Sequence, residues 1–208
     1  MRSLHWSLCS GRSWGTDPQF RASPNIARML RDVMPESTLY ILCGLPFSGK
    51  TTLARTLANQ CGFIHLDLDA IAREKSLFPE EGINDEQWGQ VFREVYRQAA
   101  TLLTAGKSVV FDAVNYDRAG RDRLRTIAQQ SNSVVHVIYI DLPIQEIEQR
   151  RQINQANRQR PPVRDKDFVD LATEFEIPTV EENLLVYDGI QSIPEWIKHN
   201  IRCDIHAA

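Results

Sequence analysis

Residues 44–51 read Gly-Leu-Pro-Phe-Ser-Gly-Lys-Thr, an uninterrupted G-x-x-x-x-G-K-[ST] pattern. The apolar run at 39–43 has the composition of a buried parallel strand. The segment 51–60 places leucines and alanines on one helical face, and Gly62 follows where such a helix stops. This order of strand, loop and helix predicts a phosphate-binding loop rather than an ordinary glycine turn.

The residue types of this loop suit a nucleotide. Gly44 and Gly49 allow the backbone to turn tightly, so that its N–H groups converge on phosphate oxygens at the start of a helix. Lys50 is expected to reach the β- and γ-phosphates, and the Thr51 hydroxyl to ligate Mg²⁺. We therefore predict ATP and Mg²⁺ as cofactors, with GTP left open because base recognition has no dependable sequence pattern. The predicted nucleotide contacts are Gly44, Pro46, Phe47, Ser48, Gly49, Lys50, Thr51 and Thr52.

Composition limits the class of protein. The chain has 208 residues, 42% hydrophobic and 25% charged, which favours one globular α/β domain. A net charge of −3 gives no overall basic surface for nucleic acid. The four cysteines show no C-x-x-C spacing and are expected to be reduced thiols, with Cys43 in a strand core. With no apolar run of membrane-spanning length, this predicts a cytoplasmic protein without membrane contact.

The N-terminal segment differs from the rest of the chain. Its first 16 residues contain no acidic residue and several Ser, Arg and Trp residues. No apolar stretch there is long enough for a secretory signal. We expect residues 1–37 to form a loosely packed extension that precedes a single domain at 38–208.

Predicted strands and helices alternate, the pattern of a parallel α/β sheet. The clearest helix starts after Asn84, an N-cap with Gln87 at the capping-box position. Strands are predicted at 39–43, 63–68, 107–112, 133–141 and 183–187. Helices are predicted at 51–60, 70–75, 84–105, 117–130, 143–159, 164–175 and 194–201.

Polar residues follow the predicted strands. Asp67 and Asp69 end the second strand, and Asp112 and Asn115 follow the third. Ligands of parallel sheets sit at these carboxyl ends, although aspartate is also a common helix N-cap. We expect Asp69 to cap helix 70–75 and also to face the substrate.

The segment 150–160 contains four arginines and one strongly apolar residue. Such a segment is either a solvated helix face or a mobile lid that closes over phosphates. Because a phosphate-binding loop is present in the same chain, we favour a lid at about 145–165.

Together these segments resemble the small P-loop kinases, a group that includes the kinase domain of phage polynucleotide kinase, chloramphenicol phosphotransferase and the zeta toxins. The resemblance is carried by GLPFSGKTT, a strand ending in L-D-L-D, VVFDAVNYDRAGRDRLR, the Arg-rich lid and F-E-I-P-T, and covers about residues 38–200. It implies a three-layer P-loop NTPase fold whose five-stranded parallel sheet has the order 2-3-1-4-5.

The resemblance also implies roles. Asp69, with Asp67 as the near alternative, would accept the proton of the attacking hydroxyl, and Asp112 would act with Thr51 on Mg²⁺. Arg151 and Arg158 would contact the transferred phosphate beside Lys50. The residues placed on the substrate side are Asp67, Asn115, Tyr116 and Arg121; Asn115 alternatively holds its own loop.

One departure bears on the acceptor. Polynucleotide kinases carry Asp-x-x-Arg after the second strand, but this spacing from Asp69 gives Ala72, with Arg73 about 100° further round a helix. The sequence therefore favours a kinase for a hydroxyl of a small molecule, with Phe78, Trp88 and Tyr116 as candidates for stacking on it. A polynucleotide or RNA 5′-hydroxyl kinase stays open because of Arg118, Arg121, Arg123 and Arg125. A nucleotide-dependent, toxin-like regulator is the third alternative.

Overall fold

The computed structural model describes residues 37–77, 82–158 and 160–203, which belong to one compact unit, Glu36–Ala208. Its core is a five-stranded sheet in the order β2-β3-β1-β4-β5, with every neighbouring pair parallel. The predicted strand order and fold class are therefore confirmed. The expected N-terminal extension, apart from Ser37, and the proposed stacking residue Phe78 lie outside the described residues.

Helices connect the strands on both faces of the sheet. The strands are β1 Thr38–Cys43, β2 Ile64–Asp67, β3 Val109–Asp112, β4 Val134–Ile140 and β5 Leu184–Tyr187. The helices are α1 Lys50–Cys61, α2 Leu68–Glu74, α3 Asp85–Thr104, α4 Arg118–Gln130, α5 Ile144–Asn157, α6 Asp165–Thr173 and α7 Ile193–Asn200. A 3-10 turn at Val180–Glu182 precedes β5. None of these helices is long and apolar enough to cross a membrane.

Local hydrogen bonds fix where helices begin. Asn84 and Gln87 form the predicted capping box of α3. The expected cap at Asp69 is wrong, because Asp67 Oδ1 accepts the N–H groups of Asp69 and Ala70 at 3.0 and 3.1 Å. The strand thus passes directly into α2, and Asp69 lies in the first helical turn with its carboxylate free of the cap.

The sheet buries apolar side chains on both faces. Alternate residues of the central strand β1 serve the two faces: Leu39, Ile41 and Cys43 on one, Tyr40 and Leu42 on the other. The first face is covered by α2, α3 and α4, and the second by α1, α5, α6 and α7. This double cover makes β1 a rigid support for the loop that follows it.

The cysteine expectation needs a correction. Cys61, the last residue of α1, is disulfide-bonded to Cys203, and their Cα atoms are 4.5 Å apart. The two cysteines are 142 positions apart in sequence, which gave no sign of this pairing; it arises because α7 packs against α1. Cys43 is a buried free thiol, as expected.

Candidate active site

The phosphate-binding loop joins β1 to α1. A Cβ atom at Gly44 would lie 2.9 Å from Ser48 Oγ, so no larger residue fits there without a shift. Gly49 has a φ of +105°, and Phe47 accepts a φ of 68°, a strained value for a bulky side chain. Backbone strain of this kind, retained between a buried strand and a helix, is typical of a binding loop.

Lys50 lies inside the loop. Its side chain is buried, and Nζ donates to the carbonyl oxygens of Gly44 and Leu45, each at 2.8 Å. Burial lowers the pKa of Lys50 to about 8, a change that Asp112 opposes and Arg160 reinforces. The cation therefore sits beside a carboxylate and a lid arginine, and it remains mostly protonated at neutral pH.

The loop residues fit a triphosphate with a bound cation. The buried Ser48 Oγ has no hydrogen-bond partner among the described residues. Thr51 is the second residue of α1, in the first turn, where backbone N–H groups lack partners within the helix. A free buried hydroxyl, a cationic amine and a helix N-terminus form a donor set suited to phosphate oxygens.

Three carboxylates gather at the carboxyl ends of β2 and β3. Asp67 and Asp112 are register partners on adjacent parallel strands. Asp69 is the second residue of α2, and its charge interacts with those of Asp67 and Asp112. Asp112 and Asp69 also both interact with the Lys50 charge.

Asp69 has a raised pKa. The main cause is the protein around its carboxylate, which restricts hydration although part of the residue remains exposed; repulsion by Asp67 adds to it. Arg73 and Arg160 act in the opposite direction. A raised pKa in an open position suits a carboxylate that accepts a proton during a reaction.

His65 is a site residue that the sequence interpretation missed. Its Nε2 lies 3.0 Å from Asp112 Oδ2, and both side chains are largely buried. The signal was available in the strand alternation, because His65 and Asp67 are two residues apart and share one face of β2.

Two lid arginines lie over the loop. Arg150 Nη1 donates to the Ser48 carbonyl at 3.1 Å and more weakly to that of Phe47 at 3.4 Å. The Arg160 guanidinium lies 5.0 Å from the centre of the Phe47 ring, and its charge interacts with Lys50 and Asp69. Both arginines therefore contact residues of the phosphate-binding loop.

The two arginines predicted for that role occupy other positions. The Arg151 guanidinium is buried between Glu148 and Asp165 and stacks on Phe168, which directs it to the α5–α6 packing. Arg158 is the exposed left-handed C-cap residue of α5. The phosphate contacts expected of Arg151 and Arg158 stay predictions, and in this structure Arg150 and Arg160 are the arginines of this segment that contact the loop.

The loop after β3 is held in place by hydrogen bonds within the protein. Asn115 Nδ2 donates to the Leu42 carbonyl at 2.6 Å, and Arg121 Nη1 donates to the Asn115 carbonyl at 3.0 Å. Arg121 is fully buried and makes two hydrogen bonds to Glu182, at 2.8 and 3.1 Å. The structure thus gives Arg121 protein partners only, and its substrate role stays a prediction, while Asn115 makes the contacts of the loop-holding alternative.

The F-E-I-P-T segment, residues 175–179, leads into the 3-10 turn that carries Glu182. Burial alone would raise the Glu182 pKa, but the hydrogen bonds from Arg121 and the Thr179 backbone outweigh it and lower that pKa. Tyr116 is half-buried, and its carbonyl accepts the Glu176 N–H at 2.8 Å. This segment thus locks α4 to the end of the sheet beside the site.

Comparison with known proteins identifies the family. A family profile described as an AAA domain matches residues 39–178. The chain belongs to this AAA domain family. The match begins in β1 and includes the phosphate-binding loop, the three carboxylates and the lid, so the whole candidate site lies within the family region.

Two curated relatives of this AAA domain protein are named shikimate kinase. The protein from Enterococcus faecalis is 30% identical over 144 residues, which are 65% of this chain and 77% of the relative. The protein from Moorella thermoacetica is 37% identical over 71 residues, which are 34% of this chain and only 41% of that relative's length.

Solved structures share the fold. A candidate kinase from Chloroflexus aurantiacus has a TM-score of 0.63 and 20% identity, with 80% of this chain and 96% of that chain covered. The APS kinase CysC of Mycobacterium tuberculosis, solved with AMPPNP and APS, has a TM-score of 0.59 and 19% identity over 79% of this chain and 95% of that one. The AAA domain protein therefore has the fold of P-loop kinases.

Proposed function

We propose that this protein is an ATP- and Mg²⁺-dependent kinase that transfers the γ-phosphoryl group to a hydroxyl of a small-molecule acceptor. One observation carries the proposal: the Asp69 carboxylate, with its raised pKa, shares the surroundings of Lys50, Asp112 and Arg160. A proton acceptor beside phosphate-binding cations is the arrangement that phosphoryl transfer requires.

The cations of the site would bind and orient the triphosphate. The loop N–H groups and Lys50 would hold the β- and γ-phosphates, and Lys50 would exchange its two carbonyl contacts for phosphate oxygens. Arg150 and Arg160 would reach the transferred group from the lid. Thr51 and Asp112 would hold Mg²⁺, which supplies further neutralisation of phosphate charge.

The chemical step then places few demands on the protein. The acceptor hydroxyl oxygen bonds to the γ-phosphorus, the bond from that phosphorus to the β–γ bridging oxygen breaks, and ADP leaves. Asp69 takes the hydroxyl proton on a carboxylate oxygen. Positive charge from Lys50 and Arg160 stabilises the equatorial oxygens, so catalysis rests on positioning and electrostatics.

The arginines of α4 argue against a polynucleotide acceptor. Arg118 pairs with Asp122 and Glu181, and Arg125 pairs with Asp122. Arg121 is buried with Glu182, and Arg123 interacts with the Tyr96 hydroxyl. Ala72, at the position of the polynucleotide-kinase arginine, is fully buried in the core. Nucleic acid would find few unpaired cations on this face.

The relatives support the proposal at the level of reaction type. Two curated relatives are named as kinases, and a neighbour of the same fold was solved with AMPPNP, an adenine nucleotide analogue. An acceptor screen tests it directly. γ-Labelled ATP and Mg²⁺ would be incubated with the full chain and a panel of sugars, hydroxy acids, nucleosides and alcohol antibiotics, beside a 5′-hydroxyl oligonucleotide.

Label on a small acceptor supports the proposal and names the substrate class. Label on the oligonucleotide alone overturns it in favour of an end kinase. Tight nucleotide binding with no labelled acceptor would favour the regulatory alternative, which predicts a protein partner sensitive to the bound nucleotide.

A further inference from the structure

His65, Asp67 and Asp112 form a compact cluster of three metal-ligating side chains. Each offers one ligand atom, and these three atoms lie within 4.8 Å of one another. Ligand atoms bound to one ion at about 2.0–2.2 Å are separated by about 3 to 4.4 Å, so small side-chain adjustments would bring all three around one ion.

Electrostatics at this position calls for a cation. Asp67 and Asp112 are register partners on adjacent strands, where like charges repel. Asp112 is buried, so water screens that repulsion poorly. His65 adds a nitrogen 3.0 Å from Asp112 Oδ2, in contact with one of the two carboxylates.

The ligands are already oriented by their own partners. Two backbone N–H groups at the start of α2 hold Asp67 Oδ1, which leaves the other oxygen of this carboxylate for an ion. Asp112 ends a strand whose four residues are all buried. Fixed ligands of this kind lower the conformational cost of binding.

We propose that His65, Asp67 and Asp112 form a divalent-cation site that the chain loads without nucleotide. Its mixed donor set of one imidazole nitrogen and two carboxylate oxygens favours Mn²⁺ and Zn²⁺ over Mg²⁺, because nitrogen ligands suit the later transition metals. Neutral imidazole would ligate through Nε2, the ring nitrogen that faces Asp112.

This site differs from the proposed nucleotide magnesium. That ion would use Thr51, Asp112 and phosphate oxygens, so the two sites share Asp112 but not His65 or Asp67. Asp112 has two carboxylate oxygens, so one faces His65 while the other remains for the loop side. The inference therefore stands without any kinase activity, and its test contains no nucleotide.

Titration of the full chain with Mn²⁺, followed by the loss of the free-ion electron paramagnetic resonance signal, tests the proposal. The matched variants are His65→Gln, which keeps a hydrogen-bond donor near Asp112, and His199→Gln on the exposed part of α7. We expect the wild type and His199→Gln to bind one Mn²⁺ per chain, and His65→Gln to bind at least about tenfold more weakly. Zn²⁺ should displace Mn²⁺ at lower concentration than Mg²⁺ does.

Asp67→Asn is a second variant that protects the test against misfolding. Asparagine caps helices as well as aspartate does, so α2 should form while the ligand charge is lost. It should weaken Mn²⁺ binding to a similar degree. Equal Mn²⁺ affinity in the wild type and in a folded His65→Gln protein would overturn the proposal, as would a wild-type chain that binds no Mn²⁺ without nucleotide.

Discussion

Arg150 and Ser48 are 102 residues apart, yet Arg150 Nη1 donates a hydrogen bond of 3.1 Å to the Ser48 carbonyl. The same guanidinium binds Glu146 through Nη2, so α5 is tied to the phosphate-binding loop by a side chain with a second anchor. A nucleotide phosphate offers that guanidinium a stronger, charge-assisted partner than a carbonyl. Arg150 therefore connects α5 to the phosphate-binding loop.

Replacement of the two loop-facing arginines should reduce catalysis. Arg150→Gln and Arg160→Gln should each lower kcat/KM for phosphoryl transfer by about 10- to 100-fold, because each removes a charge-assisted hydrogen bond to phosphate. Arg158→Gln, on the exposed C-cap of α5, should stay within about twofold of the wild type. Steady-state kinetics with varied ATP checks this order, and the reverse order would restore the lid assignment made from sequence.

Arg151 should matter for stability. Its guanidinium packs on Phe168 and pairs with Glu148 and with the largely exposed Asp165. Arg151→Ala should lower the free energy of unfolding by about 1–2 kcal/mol through lost packing and pairing. Urea denaturation of this variant beside Arg158→Ala measures the difference, and equal stability of the two variants would refute the structural role.

The buried pair of Arg121 and Glu182 should show strong coupling. Arg121→Met strands a buried carboxylate and should cost about 3–5 kcal/mol of unfolding free energy. The double change Arg121→Met with Glu182→Leu removes both charges and should cost less than that. A double-mutant cycle by chemical denaturation gives the coupling energy. Additive single losses would indicate that the pair contributes nothing as a pair.

Lys50 should make nucleotide binding proton-linked. Its pKa of about 8 in the described state is low because of burial, and bound phosphates should raise it. At pH 8.5 much of Lys50 is neutral, so nucleotide binding should take up about 0.7 proton per nucleotide. At pH 7 Lys50 is already mostly protonated, so the uptake should be almost zero. Calorimetry in two buffers of different ionisation enthalpy measures this uptake; equal values at both pH conditions would contradict the assigned pKa.

The phosphate-binding loop could be predicted because its signal is local, and the α/β class because strands and helices alternate along the chain, whereas the strand order was implied by the family resemblance. The orientation of α5 could not, since this helix has few apolar residues and one position of error turns a side chain by about 100°. The choice between Arg150 and Arg151 depends on such a shift. The burial of Arg121 also lay beyond sequence, because its partner Glu182 is 61 residues away.

Short-range choices at β2 were harder still. Asp67 and Asp69 both fit an N-cap pattern. The choice depends on where the strand ends, and because β2 ends at Asp67, this residue is the cap. His65 was overlooked because a histidine within an apolar run is usually a core residue. Its place in the candidate site depends on Asp112, which lies beside it because β2 pairs with β3.

The role of Asp69 is the central claim, and the rate of phosphoryl transfer by Asp69→Asn tests it most directly. With the acceptor found in the screen, Asp69→Asn should lower kcat by about 10²- to 10⁴-fold with little change in nucleotide affinity, because asparagine cannot accept the proton. Glu74→Gln, at the exposed end of the same helix, is the matched control and should keep full activity. An Asp69→Asn protein as active as this control would contradict the account.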